Sequence, residues 1–372
     1  MLIIVCVYTY KYHLRNIYAK LIIIYSEVVK IDRNLRLNMT ITYTITHFLV
    51  DFACSFLMFC YLQHTSDWYL CVLLYNFCAF AMQMPLGILA DVWNKNYFFA
   101  AVGCLFIALS FALISYPLFS TIIAGVGNGM FHVGGGIDVL NLSGKKSVLL
   151  GIFISPGALG IYLGRVLSAE NSFPLIVIIP ALIIAAGIIL AVCRGKGGKY
   201  SDNLSFGLPK TNSFGRIKTI SLFIVVFIRS FVGLSLNFQW ANEGSWLLII
   251  VICVVIGKAV GGILNDWIGA AKCASLSLCF SSFLFLLPQF PFFGVLAVLF
   301  FNMTMPVTLF EITKIFPNAK GFAFGLLTFA LFLGFLPVYF GYNALFNKYW
   351  YFSVSCVLSL LLILVSVRKE NI

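Results

Sequence analysis

From residue 41 to residue 367 the chain is a succession of apolar runs separated by short polar intervals. A helix needs about 20 such residues to cross a hydrocarbon core of about 30 Å. That criterion predicts about twelve spans, at 41–61, 68–90, 97–116, 118–140, 148–167, 173–193, 220–240, 245–264, 273–289, 292–310, 322–340 and 350–367. The runs are continuous rather than alternating, which argues against a membrane β-barrel. Lipid offers no partner for unpaired backbone groups, so each span is expected to be helical. The expected fold class is all-α integral membrane.

One polar interval recurs. Residues 84–99 read MPLGILADVWNKNYFF, in which Gly87 is followed four residues later by Asp91 and then by Lys95. Half a chain onward, Gly262, Asp266 and Gly269 repeat the arrangement, with Lys272 close behind. A glycine and an acid at the end of a span, at matching places in two halves, point to an internal repeat of the kind that secondary transporters are built from. The polar stretch around 195–217, rich in Gly, Ser, Asn and Lys, reads as a flexible linker. The expected organisation is a bundle of six helices at 39–194, this linker, and a second such bundle at 218–372.

Composition agrees: 62% of residues are hydrophobic and only 10% are charged, far from the balance of a soluble domain. The formal net charge of +12 invites a nucleic-acid reading, but the placement of the charges argues against it. With the first span entering from the cytoplasm, basic residues such as Lys95, Lys145, Lys146, Lys272 and Lys320 fall on the inner side, roughly fourteen against two outside. The expectation is a multi-pass protein of the cell membrane with both termini cytoplasmic. Its basic excess meets anionic lipid headgroups, not DNA.

Residues 1–38 carry six basic side chains among small apolar patches and read as a basic extension lying on the inner leaflet; translation beginning at Met39 is the alternative. No cleavage-site pattern of a signal peptide is present there. The eleven cysteines are scattered singly. With no C-x-x-C and no Cys/His spacing typical of metal sites, neither a metal nor a cofactor is expected, and cysteine is read as a packing residue.

On these residues the chain resembles the major facilitator superfamily. Gly87, Asp91 and Lys95 match its repeated turn motif, although Val92 and Asn94 replace a basic residue and a glycine. In the second copy Gly262, Asp266 and Gly269 match and Trp267 departs. The resemblance implies two pseudo-symmetric six-helix bundles and transport by alternating access. A finer likeness, to the fosmidomycin-resistance type of efflux carrier, rests on 46–51 (THFLVD) and on 127–135 (GNGMFHVGG), where Val133 replaces a proline.

Candidate site residues fall in two groups. Gly87, Asp91, Lys95, Gly262, Asp266 and Gly269 are gating candidates, since an acid at a span end can cap a neighbouring helix N-terminus and the glycine admits a close helix. Ionisable groups at depth are costly unless paired or facing water. Counting about 1.5 Å per residue places Asp51, His132, Arg229 and Lys258 near mid-bilayer. His47 and Asp51 share one helix face, as do Asn128 and His132. Asp51, His132 and His47 are the proton-coupling candidates; Arg229, Lys258, Asn128, Asn237 and Gln83 are the substrate-binding candidates. Asp51 paired permanently with Arg229 is the competing structural reading.

The expected function is a secondary transporter, proton-coupled, moving a small anionic or zwitterionic solute by efflux or antiport, as a monomer among membrane lipids. A non-transporting receptor of the same fold is the alternative. An intramembrane enzyme is less well supported, because no zinc-protease, nucleophile-elbow or phosphate-loop motif occurs.

Overall fold

The computed structural model describes residues 34–169, 174–194, 207–208, 212–346 and 348–368. The basic extension before Asn34 and most of the linker therefore lie outside the described residues. Twelve helices follow one another: α1 (Asn34–Leu62), α2 (Trp68–Trp93), α3 (Asn96–Ala112), α4 (Pro117–Ser143), α5 (Val148–Ala169), α6 (Leu175–Cys193), α7 (Ser213–Ser235), α8 (Trp246–Ile268), α9 (Ala270–Leu284), α10 (Pro291–Ile315), α11 (Lys320–Tyr339) and α12 (Tyr349–Val367). Among the described residues, nine of these are long and apolar enough to cross a membrane. The third helix of each half, α3 and α9, is shorter, and α4 is long but rich in glycine and polar residues. Twelve crossings would return both described ends to one face, the terminus side.

Three expected boundaries move. Residues 34–38, expected to belong to the extension, are helical and continuous with the first span. α7 begins at Ser213, inside the expected linker, because the Asn212 side chain accepts from the Gly215 amide at 2.7 Å and caps the helix. α7 also stops at Ser235 instead of running to residue 240. Phe238 and Trp240 stack on each other, Phe238 stacks on Tyr349, and Trp240 Nε1 donates to the Pro288 carbonyl at 2.8 Å. These aromatic contacts hold residues 236–240 as a packed loop.

Several helices are interrupted where their sequences allow it. α2 carries a π-turn at Phe77–Ala81. α5 breaks at Ser155–Pro156, since proline has no N–H to continue the ladder. α10 breaks at Met303. The main contacts between the halves pair α2 with α11 and α5 with α8. The core of the N-terminal half runs on into α10 and α11 through Phe310, Ile312, Phe324 and Leu327, whereas α7, α9, α10 and α12 share a core of their own around Phe285, Phe301 and Phe352.

Candidate functional site

On the terminus side the repeated motif builds two equivalent joints. Asp91, near the end of α2, accepts from the backbone amides of Gly321 (2.8 Å, Oδ1) and Phe322 (2.9 Å, Oδ2), the first turn of α11. Asp266, near the end of α8, accepts from the amides of Ser147 (2.6 Å) and Val148 (3.0 Å), the start of α5. Each acid thus caps the fifth helix of the opposite half, where free N–H groups and the helix dipole favour a carboxylate. Asp266 also accepts from the Ser147 hydroxyl at 2.9 Å, and Asn265 Nδ2 donates to that hydroxyl at 2.8 Å.

Glycine makes the joints close. A Cβ on Gly87 would overlap the Gly321 carbonyl, and one on Gly262 would sit 3.0 Å from the Ser147 carbonyl. Asn94 (φ 50°) and Gly269 (φ 83°) then turn the chain at equivalent positions, the former tolerating the left-handed region as asparagine can. Lys95, expected at the gate, is exposed and no hydrogen bond or ion pair of its side chain is found among the described residues. The basic residue at this joint is Lys320, whose ammonium donates to Asn141 Oδ1 at 2.8 Å.

Deeper in the N-terminal half, α1 and α4 bring His47, Asp51 and His132 together. His47 Nε2 is 3.2 Å from Asp51 Oδ2, His132 Nε2 is 3.7 Å from Asp51 Oδ1, and the two Nε2 atoms are 2.9 Å apart. Asn128 Nδ2 donates to Asp51 Oδ1 at 3.1 Å, so Asn128, expected to bind substrate, positions the acid instead. The Nδ1 atoms face backbone carbonyls, His47 that of Phe153 (2.6 Å) and His132 that of Asn128 (2.9 Å). Phe131 and Phe153 wall the His47 ring. The spacing argument against a metal does not reach this group: the three residues offer donor atoms all within 4.8 Å of one another. No short spacing could reveal them, because helix packing joins positions about 80 residues apart.

The two deep cations belong to the other half. Arg229 on α7 donates to the Phe301 carbonyl (3.2 Å) and to Thr304 Oγ1, and lies over the Phe301 ring, bracing the break in α10. Its Nε is buried without a partner. No ion pair joins Arg229 to Asp51 among the described residues, so the permanent pair considered from sequence is not formed. Lys258 on α8 is half-buried, with no hydrogen-bond or ion-pair partner for its ammonium among the described residues, and Asp51, His132 and Arg229 lie within electrostatic range.

The remaining candidates separate. Gln83 is buried between α2 and α11; its Nε2 donates to the Ala79 carbonyl at 2.5 Å and its Oε1 is left without a partner. Asn237 lies beyond α7 and exposed, its carbonyl accepting from the Tyr349 hydroxyl at 2.8 Å, so it does not join the mid-bilayer group. Sequence reasoning missed Tyr43 and Asn96, which donate to the buried Asp138 at 2.6 and 2.9 Å. It also missed Ser147, which no motif marks.

No family model and no curated protein matches the sequence. Solved structures do. A crystal structure of the E. coli fucose:proton symporter FucP superposes with a TM-score of 0.63 at 14% identity, covering 90% of this chain and 99% of that one. A crystal structure of the major facilitator superfamily transporter FucP in the outward conformation superposes with a TM-score of 0.56 at 15% identity, covering 88% of this chain and 100% of that one. With its helices continuous over both halves and its joints in the same places in each, this chain has the fold of the major facilitator superfamily transporters.

Proposed function

We propose that the chain is a proton-coupled secondary transporter that moves a small anionic or zwitterionic solute by alternating access. The observation that carries this reading is the pair of equivalent joints, Asp91 on α11 and Asp266 on α5. A carboxylate capping a helix of the other half can release it without leaving a strained chain, since water replaces the lost bonds. Each cap is worth about 1 kcal/mol, small enough for two arrangements of similar energy.

On this reading the terminus side is cytoplasmic, and the caps hold it shut. The coupling proton resides among Asp51, His47 and His132. Lys258, with no anionic partner of its own, and the Nε of Arg229 receive the negative end of the solute. Such a cluster disfavours organic cations. Efflux by proton exchange is the direction we favour; the fucose neighbour is a proton symporter.

Flux in proteoliposomes tests this. A panel of organic anions, zwitterions and cations is offered with and without a proton gradient of each sign. Gradient-stimulated movement of an anion or zwitterion is the expected result, and the effective sign separates exchange from symport. Binding of a solute without flux would favour the receptor reading, and preference for cations would overturn the substrate assignment.

A further inference from the structure

The lone pairs of the cluster in α1 and α4 are in conflict as they stand. A backbone carbonyl only accepts, so the Nδ1 of His47 facing Phe153 and that of His132 facing Asn128 both carry hydrogen. In neutral rings this leaves both Nε2 atoms as bare acceptors, pointed at each other across 2.9 Å with a carboxylate at 3.2 and 3.7 Å. Three acceptors facing one point call for a cation at that point. We propose that His47 Nε2, His132 Nε2 and the Asp51 carboxylate form a binding site for a divalent transition-metal ion of the zinc class.

The dimensions fit such an ion. Tetrahedral zinc with bonds of about 2.0–2.1 Å sets neighbouring donors about 3.3–3.4 Å apart. The observed separations are 2.9 Å between the two nitrogens, 3.2 Å from His47 to Asp51 Oδ2 and 3.7 Å from His132 to Asp51 Oδ1. One donor atom of each residue lies within 4.8 Å of the others, so rotation of the carboxylate and modest side-chain shifts bring the set to that spacing. Two imidazoles and one carboxylate suit zinc and its neighbours, not the all-oxygen preference of magnesium or calcium. The outer contacts are those of a built site: each histidine donates its other ring nitrogen to a carbonyl, and Asn128 holds the carboxylate. Gly157 of α5 backs directly onto the cluster; a Cβ there would come within 2.6 Å of His47 Nε2 and nearer still to Asp51. Lys258 is the cation facing the site from the other half and weakens binding.

The binding itself does not depend on the transport reading, although a bound ion would exclude the coupling proton and so inhibit proton-driven flux. The test uses tag-free full-length protein in detergent, dialysed to equilibrium against zinc with the bound metal counted by mass spectrometry, and cobalt as a visible probe of a tetrahedral site. Wild type and His64→Gln, which removes an exposed histidine, are expected to hold one ion per chain. His47→Gln and His132→Gln each weaken binding at least ten-fold, Asn128→Ala weakens it less, and Lys258→Ala strengthens it. Each variant is first checked for a monodisperse peak; should both histidine variants fail, Asp51→Asn and Lys258→Ala carry the comparison. Wild type without stoichiometric metal, or binding unchanged in the folded cluster variants, overturns the proposal. Because no gradient is applied, that failure leaves the transport reading untouched.

Discussion

At the scale of single residues, the acids Asp91, Asp266 and Asp51 do two different things. Asp91 and Asp266 each satisfy free helix amides with both carboxylate oxygens. Asp51 is shared by two histidines and an asparagine. Asp91→Asn keeps one acceptor and turns an NH2 group toward an N–H donor, which should weaken the cap by about 1 kcal/mol and shift the balance toward the opened terminus side by about five-fold. Labelling of a cysteine introduced on the terminus side of α4 reads that shift; unchanged labelling with unchanged turnover would reduce Asp91 to a static loop clamp. Asp51 and Arg229 have separate partners, so Asp51→Asn combined with Arg229→Gln should lose transport at least as fully as either single change. Recovery in the double variant would show a functional pairing that the structure does not contain.

At the scale of elements, the joints depend on glycine where helices of opposite halves touch, but unequally. A Cβ at Gly87 meets a carbonyl too close to accommodate, whereas at Gly262 the nearest atom is 3.0 Å away. Gly87→Ala should therefore lower thermal stability and open the terminus side more than Gly262→Ala, as measured by melting temperature and by the same cysteine labelling. The reverse order would mean that the α2–α11 joint yields easily. The short first segment of α5, Val148–Ile154, links the two kinds of site: its start is capped by Asp266, and the carbonyl of Phe153 within it holds His47. On the proposed function, release of the Asp266 cap would displace a segment that orients the cluster. That would give the proposed gate and the proposed coupling site a physical route by which to bias one another.

For the whole molecule, the expected twelve crossings would put both described ends on one face, and the excess of lysine and arginine there predicts that this face is cytoplasmic. Reporter fusions after Gln63 and after Lys146 should report outside and inside, respectively; the opposite pattern would invert the assignment. A truncation that removes residues 1–38 takes the helical residues 34–38 from α1, whereas one that removes residues 1–33 spares them. Insertion assays are expected to tolerate the shorter deletion better than the longer.

Sequence alone determined the helical class, most of the spans and the twofold plan, because lipid imposes a length and an apolarity on every crossing segment and a duplicated motif is visible wherever it stands. It also marked Asp91 and Asp266, which sit beside their glycines in the same helix. What it could not determine was which groups meet across helices. Asp51 reads equally well as the partner of Arg229 or of the histidines; only the packing of α1 on α4 and α5 gives it His47, His132 and Asn128, and only the break in α10 engages Arg229 elsewhere. In the sequence Asn237 continues a polar face that the helix, ending at Ser235, does not extend far enough to carry, and Ser147 carries no local mark of its place under Asp266. Periodicity places a side chain on a face of its own helix, but the partner of that face is set by long-range packing.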